Sequence, residues 1–270
     1  MDNNLLLIDS HVHFHDCFDI EEYLNNIFMN FSKAASIIDD SHSWIGILLL
    51  SEITGVNFFR TLLFSQGDKI LNNFNLIKTE EEESFIITDG NDQKIVVISG
   101  KQIAVKEGVE LLALCTSKDF QEHEDLGKAV MNVISADAIP VLPWGVGKWI
   151  GKKKDMIKNL IEENNNLKLF LCDNSGRLRF WAEPQLFKFA KSHNRFIFAG
   201  TDALPIPSEI RKTGSFGFYL KTELNLFKPS EDLKKIFNEL TESPLTFGKL
   251  ENPVKFLRNQ LTMQLNKRKK

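Results

Sequence analysis

The feature that most constrains this chain is a repeated one. Short apolar runs recur at residues 5–8, 45–50, 94–98, 111–114, 140–142, 167–171 and 196–198, bounded by polar residues, Gly or Pro. Several are continuous rather than alternating, which is the pattern of strands buried on both faces of a parallel sheet. Helical periodicity falls between them. Ile20, Tyr23, Leu24, Ile27, Phe28 and Phe31 form one apolar stripe, with Asp19 as N-cap and Glu22 placed to complete a capping box. Residues 126–134, 155–163 and 184–192 read as further helices, and Asn252-Pro253 opens a last one with Val254, Leu257, Leu261 and Leu265 on one face. A repeated βα order predicts an α/β fold with a parallel sheet or barrel. One stretch breaks the rhythm. Residues 85–88, the turn Asp89-Gly90-Asn91-Asp92 and residues 94–98 predict a central β-hairpin insertion, to which 72–78 can add a strand.

The length of 270 residues suits one large domain, taken here as 1–270 with a C-terminal helical extension over 229–266. The formal net charge is −3, which gives no global electrostatic case for nucleic acid. The basic tail Lys267-Arg268-Lys269-Lys270 can touch RNA or a membrane, but it reads first as a frayed, solvated terminus. Three widely spaced cysteines argue against a disulfide framework. Cys115 and Cys172 read as small buried hydrophobes, while Cys17 lies beside a histidine cluster. The N-terminal apolar run is too short for a signal peptide, and no run can span a bilayer. The expectation is a soluble, cytoplasmic protein with no membrane or nucleic-acid partner.

The residues most suited to chemistry sit at strand ends. In LLLIDSHVHFHD the first strand runs out into His11, His13 and His15, which alternate and so project to one side of an extended chain. Neutral imidazole is the commonest ligand for zinc and related ions. In FIFAGTDALP, Asp202 lies just past another buried strand, where it can ligate a metal, accept a proton or cap a turn. Glu52 follows the run 45–50, and Asp173 follows 167–171; each is a further acid at a strand end. Gln102 and Glu110 are weaker candidates. Lys148, in a Gly-rich turn without P-loop spacing, can hold an anion or stay solvated. Arg177 can bind an oxyanion with both arms. His42, His123 and His193 receive no role.

With these residues in place the chain resembles the PHP family (polymerase and histidinol phosphatase domains) and, more distantly, the amidohydrolase superfamily. DSHVHFH resembles the family's strand ending in HxH, and GTDALP its final Asp-x-His with Asp202 kept and Leu204 in the His position. LLLSEI offers Glu52 but Ile53 for a His; SGKQI, followed by the return strand EGVELLAL, places Gln102 where Glu is expected; VLPWG places Trp144 where His is expected. IPVLPWGVGKW, LFLCDNSGR and FGKLENPVKFLRNQ are similar to segments of uncharacterised bacterial PHP-like proteins. The resemblance covers most of 4–206. It implies a distorted (β/α)7-type, TIM-like barrel and a phosphoesterase site with two or three metals. The four replaced ligands reduce that implied site to one divalent ion (zinc, manganese or iron). His11, His13 and Asp202 would hold it, with His15, Glu52 or Asp173 as further ligands. The expected activity is metal-dependent hydrolysis of a phosphate ester on a small-molecule substrate. Asp202 would ligate or accept a proton, and Lys148 and Arg177 would stabilise the oxyanion. The rival readings are an amidohydrolase acting on a C–N bond and a non-catalytic binding protein on a decayed enzyme fold.

Overall fold

The computed structural model describes residues 4–39, 43–64, 73–91, 93–163 and 167–267. His42, residues 72 and 92 of the expected hairpin, and tail residues 268–270 lie outside them. A first sheet of seven strands has the order β12-β11-β1-β2-β5-β4-β3. Its members are β1 (Leu5–Val12), β2 (Trp44–Leu50), β3 (Asn75–Lys78), β4 (Ser84–Thr88), β5 (Lys94–Ile98), β11 (Phe216–Lys221) and β12 (Leu245–Gly248). The second sheet has five strands in the order β10-β9-β8-β7-β6. They are β6 (Gly100–Ala104), β7 (Glu110–Leu114), β8 (Ile139–Pro143), β9 (Phe170–Asn174) and β10 (Ile197–Gly200).

This corrects the expected (β/α)7 barrel. Hydrogen bonding does not run continuously around a ring, as a closed barrel requires. β1 and β10 meet through Ser10 Oγ on Ala199 O (2.9 Å) and Asp202 N on His11 O (2.8 Å), not through a ladder. β2 and β6 meet at one isolated bridge, Glu52 with Lys101. Antiparallel pairs also interrupt the parallel order. β4 and β5 form the hairpin expected from sequence, β3 adds to it, and β11, β6 and β7 all pair antiparallel. The 229–266 extension is not wholly helical, because β12 lies between α6 (Pro229–Glu239) and α7 (Pro253–Lys267) and pairs with β11.

The unbroken apolar runs explain the layering. Alternate side chains of β1 go to opposite faces: Leu6 and Ile8 enter the core between the sheets, while Leu5 and Leu7 face outward. The inner core joins Ile47, Leu49, Val96 and Ile98 to Val141, Phe170 and Phe198, and α6 contributes Leu233 and Phe237. Outside the first sheet lie α1 (Ile20–Ile38) and α2 (Phe58–Phe64). The stripe Tyr23, Leu24, Ile27 and Phe31 is buried there, and Asp19 Oδ1 caps the helix by accepting from Glu22 N at 2.8 Å. Outside the second sheet lie α3 (Leu126–Ser135), α4 (Lys152–Glu163) and α5 (Gln185–Ser192). Among the described residues no helix is long and apolar enough to cross a membrane.

Candidate metal centre

The histidines stand where β1 leaves its sheet. Between Asp9 and Val12 the register against β2 shifts, and this bulge re-aims the strand end. Asp9 fixes the bulge from beneath. Its buried carboxylate accepts from the backbone N–H of His11 (3.3 Å), Thr201 (2.8 Å) and Gly214 (2.9 Å), and from the Thr201 hydroxyl (2.6 Å). Burial pushes that carboxyl up to about 6, against the pull of these hydrogen bonds. β10 approaches β1 so closely that a Cβ on Gly200 would lie 2.4 Å from His11 N. Gly at 200 is therefore a condition for bringing Asp202 to the histidines.

His11, His13 and Asp202 offer ligand atoms that all lie within 4.8 Å of one another. The two Nε2 atoms are 3.0 Å apart, and Asp202 Oδ1 lies 3.7 Å from His11 Nε2 and 3.6 Å from His13 Nε2. Gln102 Oε1 stands 3.2 Å from His11 Nε2. Burial, and then the neighbouring His11, lower His13 to about 3, so its ring is neutral at physiological pH. Burial alone would raise Asp202, but His11, His13, Lys212 and Lys148 outweigh it and hold the carboxyl below its usual value. A neutral imidazole and an ionised carboxylate are the forms that bind a cation. His11 Nδ1 is buried without a hydrogen-bond partner, so nothing behind that ring fixes its tautomer. His11 is 1 % exposed and Asp202 31 %, which leaves the group open on the carboxylate side.

Asp202 is held in the left-handed region at φ 48°. Its N–H donates to His11 O, and Lys212 Nζ donates to its carbonyl at 3.4 Å. Asn174 Nδ2 donates to Oδ2 at 2.9 Å, which leaves Oδ1 facing the histidines. Asn174 is itself fixed, donating to Trp144 O (2.6 Å) and accepting from Gly176 N (3.1 Å).

The other expected site residues are placed differently. His15 stacks on His13 with ring centroids 5.7 Å apart, but its Nε2 is turned 2.7 Å from Ala203 O. Glu52 accepts from Phe59 N at 2.7 Å at the start of α2 and pairs with Lys101 at 3.3 Å. Asp173 and Arg177 bind each other with both arms, at 3.1 and 2.6 Å. Lys148 pairs with Glu110 at 2.5 Å. His13, Asp202, Gln102, Glu52, Lys148 and Glu110 share a cleft of about 320 Å³. Its apolar wall includes Phe14, Phe58, Leu204 and, from α7, Met263. Sequence reasoning gave no role to Asn174, although the change of side from Asp173 to its neighbour along a strand was the signal that could have found it.

No family model and no curated protein matches the sequence. Solved structures do. PsfC from Pseudomonas syringae PB-5123 is similar with a TM-score of 0.56 at 9% identity, over 98% of this chain and 99% of its own. The fold is PHP-like. PfuEndoQ from Pyrococcus furiosus, a lesion-specific endonuclease, aligns at TM-score 0.49 and 12% identity, over 87% of this chain and 56% of its own. Endonuclease Q in complex with a 27-mer duplex carrying an abasic lesion aligns at 0.45 and 14%, over 88% and 57%. The chain thus spans a little over half the length of the endonucleases. At such identities the likeness concerns fold. One neighbour's structure contains a DNA duplex, which is a property of that protein, and the expectation of no nucleic-acid partner is not kept. That expectation rested on net charge, which is blind to local charge placement.

Proposed function

We propose that this chain is a metal-dependent hydrolase of phosphate esters, with one divalent cation held by His11, His13 and Asp202. The observation that carries the reading is the convergence of two Nε2 atoms and one carboxylate oxygen at a cleft whose wall includes His13 and Asp202. A divalent ion there supplies Lewis acidity toward water and toward a phosphoryl oxygen. The chain's own groups do the rest. Asn174 keeps Asp202 Oδ1 turned to the ion position. Gln102 offers a neutral oxygen beside His11. Lys148 brings a cation to the cleft and, once a phosphate displaces its contact with Glu110, orients the substrate anion. Arg177 has no part in this reading, because Asp173 already neutralises it. His15, Glu52 and Asp173 likewise stay outside the ligand set, each held by a partner of its own. No observation favours C–N bond hydrolysis.

The test is metal analysis followed by a substrate panel. Protein purified without added ions, then incubated with zinc, manganese or iron, is expected to retain about one equivalent of an ion. Phosphomonoesters, phosphodiesters and an abasic DNA duplex then form the panel. Loss of both ion and turnover in His13→Ala and Asp202→Ala is the expected result. Retention of the ion with no turnover on any substrate favours the binding-protein reading. Failure to retain any ion removes the proposal.

A further inference from the structure

Helix α7 is docked the wrong way round for a core helix. Its inner face combines an ionic network with two apolar contacts, Phe256 on Trp181 (ring centroids 5.7 Å apart) and Met263 in the cleft wall. Lys255 Nζ lies 2.9 Å from Glu209 Oε1 and 3.5 Å from Glu251 Oε2, and Asn259 Nδ2 donates to Glu209 at 3.1 Å. Glu209 is completely buried, and Lys212 lies 3.2 Å from its other oxygen. The apolar stripe that sequence periodicity assigns to one face points to solvent instead. Val254 is 78% exposed, Leu257 61%, Leu261 61% and Leu265 58%. The stripe is about 16 Å long at 1.5 Å per residue. A row of four large apolar side chains on one helix face is a surface that calls for a cover.

The amino-acid sequence of this segment indicates the cover. From Arg258 to the last residue the sequence holds five cations, Arg258, Lys267, Arg268, Lys269 and Lys270, and no acid, within a chain whose net charge is −3. Arg258 is exposed beside the stripe, whereas Lys255 is spent on the inner network. An apolar stripe rich in leucine together with a local excess of cations complements a surface that is apolar below and anionic above. That describes the headgroup boundary of an acidic bilayer. A second copy of the chain would bring the same cations against one another. A nucleic acid would answer the cations and leave the leucines in water. We propose that α7 is an interfacial helix that docks this protein on anionic lipid surfaces through Val254, Leu257, Leu261 and Leu265. This goes beyond the hydrolase reading and does not rest on it.

The experiment is vesicle sedimentation with the full chain, using phosphatidylcholine vesicles with and without phosphatidylserine. The wild type is expected to sediment with the acidic vesicles, to release them as salt rises, and to bind pure phosphatidylcholine at least about tenfold less. The L257E/L261E double variant is expected to lose binding about tenfold or more with an unchanged far-UV spectrum. The single variant R258E, which leaves the stripe intact, is expected to weaken binding and its salt dependence together. No sedimentation of the wild type would overturn the proposal. So would equal binding by the double variant. A dimer in analytical ultracentrifugation that L257E/L261E dissolves would assign the stripe to a second copy instead. Binding to a DNA duplex but not to vesicles would assign the cations to nucleic acid.

Discussion

At the scale of the residue, the centre depends on a carboxylate with one oxygen tied and one presented. Asn174 ties Oδ2 and is saturated by its own contacts with Trp144 and Gly176. Partners of this kind typically change metal affinity about 10–100-fold. Asn174→Ala is therefore expected to weaken zinc or manganese binding by that range in calorimetry while melting remains cooperative. Unchanged affinity would show that Asp202 is oriented by its backbone alone. The residue scale also shows what the sequence displays and what it hides. His11 and His13 were legible because two residues of the same type at period two must share a side. Asp173 and Asn174 were not separable, because nothing in LFLCDNSGR says which one faces the mouth. Arg177, four residues on, takes Asp173 away. Glu52 was hidden for a similar reason: its capping role at α2 depends on where Phe59 comes to lie.

At the scale of the element, two contacts matter most, the approach of β10 to β1 and the ionic docking of α7. Gly200→Ala places a methyl group against His11 N in a seam with no slack. Overpacking of this kind costs about 1–3 kcal/mol. The expected outcome is a lower chemical-denaturation midpoint together with lost metal binding, since the shift that admits the methyl moves Asp202 from the histidines. For α7, the buried Glu209 is the anchor. Burial would raise its carboxyl, but Lys212 and Lys255 outweigh burial and hold it below 4.5. With the folded value depressed, its stabilising effect is present above the unfolded pKa and is lost as pH falls through the folded one. Acidification below about 4.5 is thus expected to release α7. Hydrogen exchange across Pro253–Lys267 should rise there before exchange in β1 does. Glu209→Gln should produce the same local release at neutral pH. An unaltered exchange pattern would show that α7 is held by other contacts. The helix itself was legible from its periodicity. Its orientation was not, because an apolar stripe indicates a face and not which side of the protein that face will meet.

At the scale of the whole molecule, the apolar runs announced buried strands but not how the sheets would divide. A run such as 94–98 is compatible with parallel or antiparallel neighbours. Here β5 has one of each, β2 parallel and β4 antiparallel. β11 and β12 follow the last expected strand, and β11 covers the free side of β1. The group His11, His13 and Asp202 bridges the two sheets, so an ion bound there would link them. A ligand at 100 times its dissociation constant stabilises by about 2.7 kcal/mol. Zinc at that excess should raise the melting temperature by several degrees in the wild type and by nothing in Asp202→Ala. An equal rise in both would place the ion elsewhere.

The φ of 48° at Asp202 bears on how this position tolerates change. Few residue types rest in that conformation without strain, and Asn and Gly are the main ones besides Asp. In a saturation library scored separately for soluble folding and for metal retention, position 202 should divide into three groups. Asp passes both screens. Asn and Gly pass the first and fail or weaken in the second. Val, Ile and Thr fail already at the first. A backbone angle and a ligand atom impose their demands on one codon, and the two screens separate them.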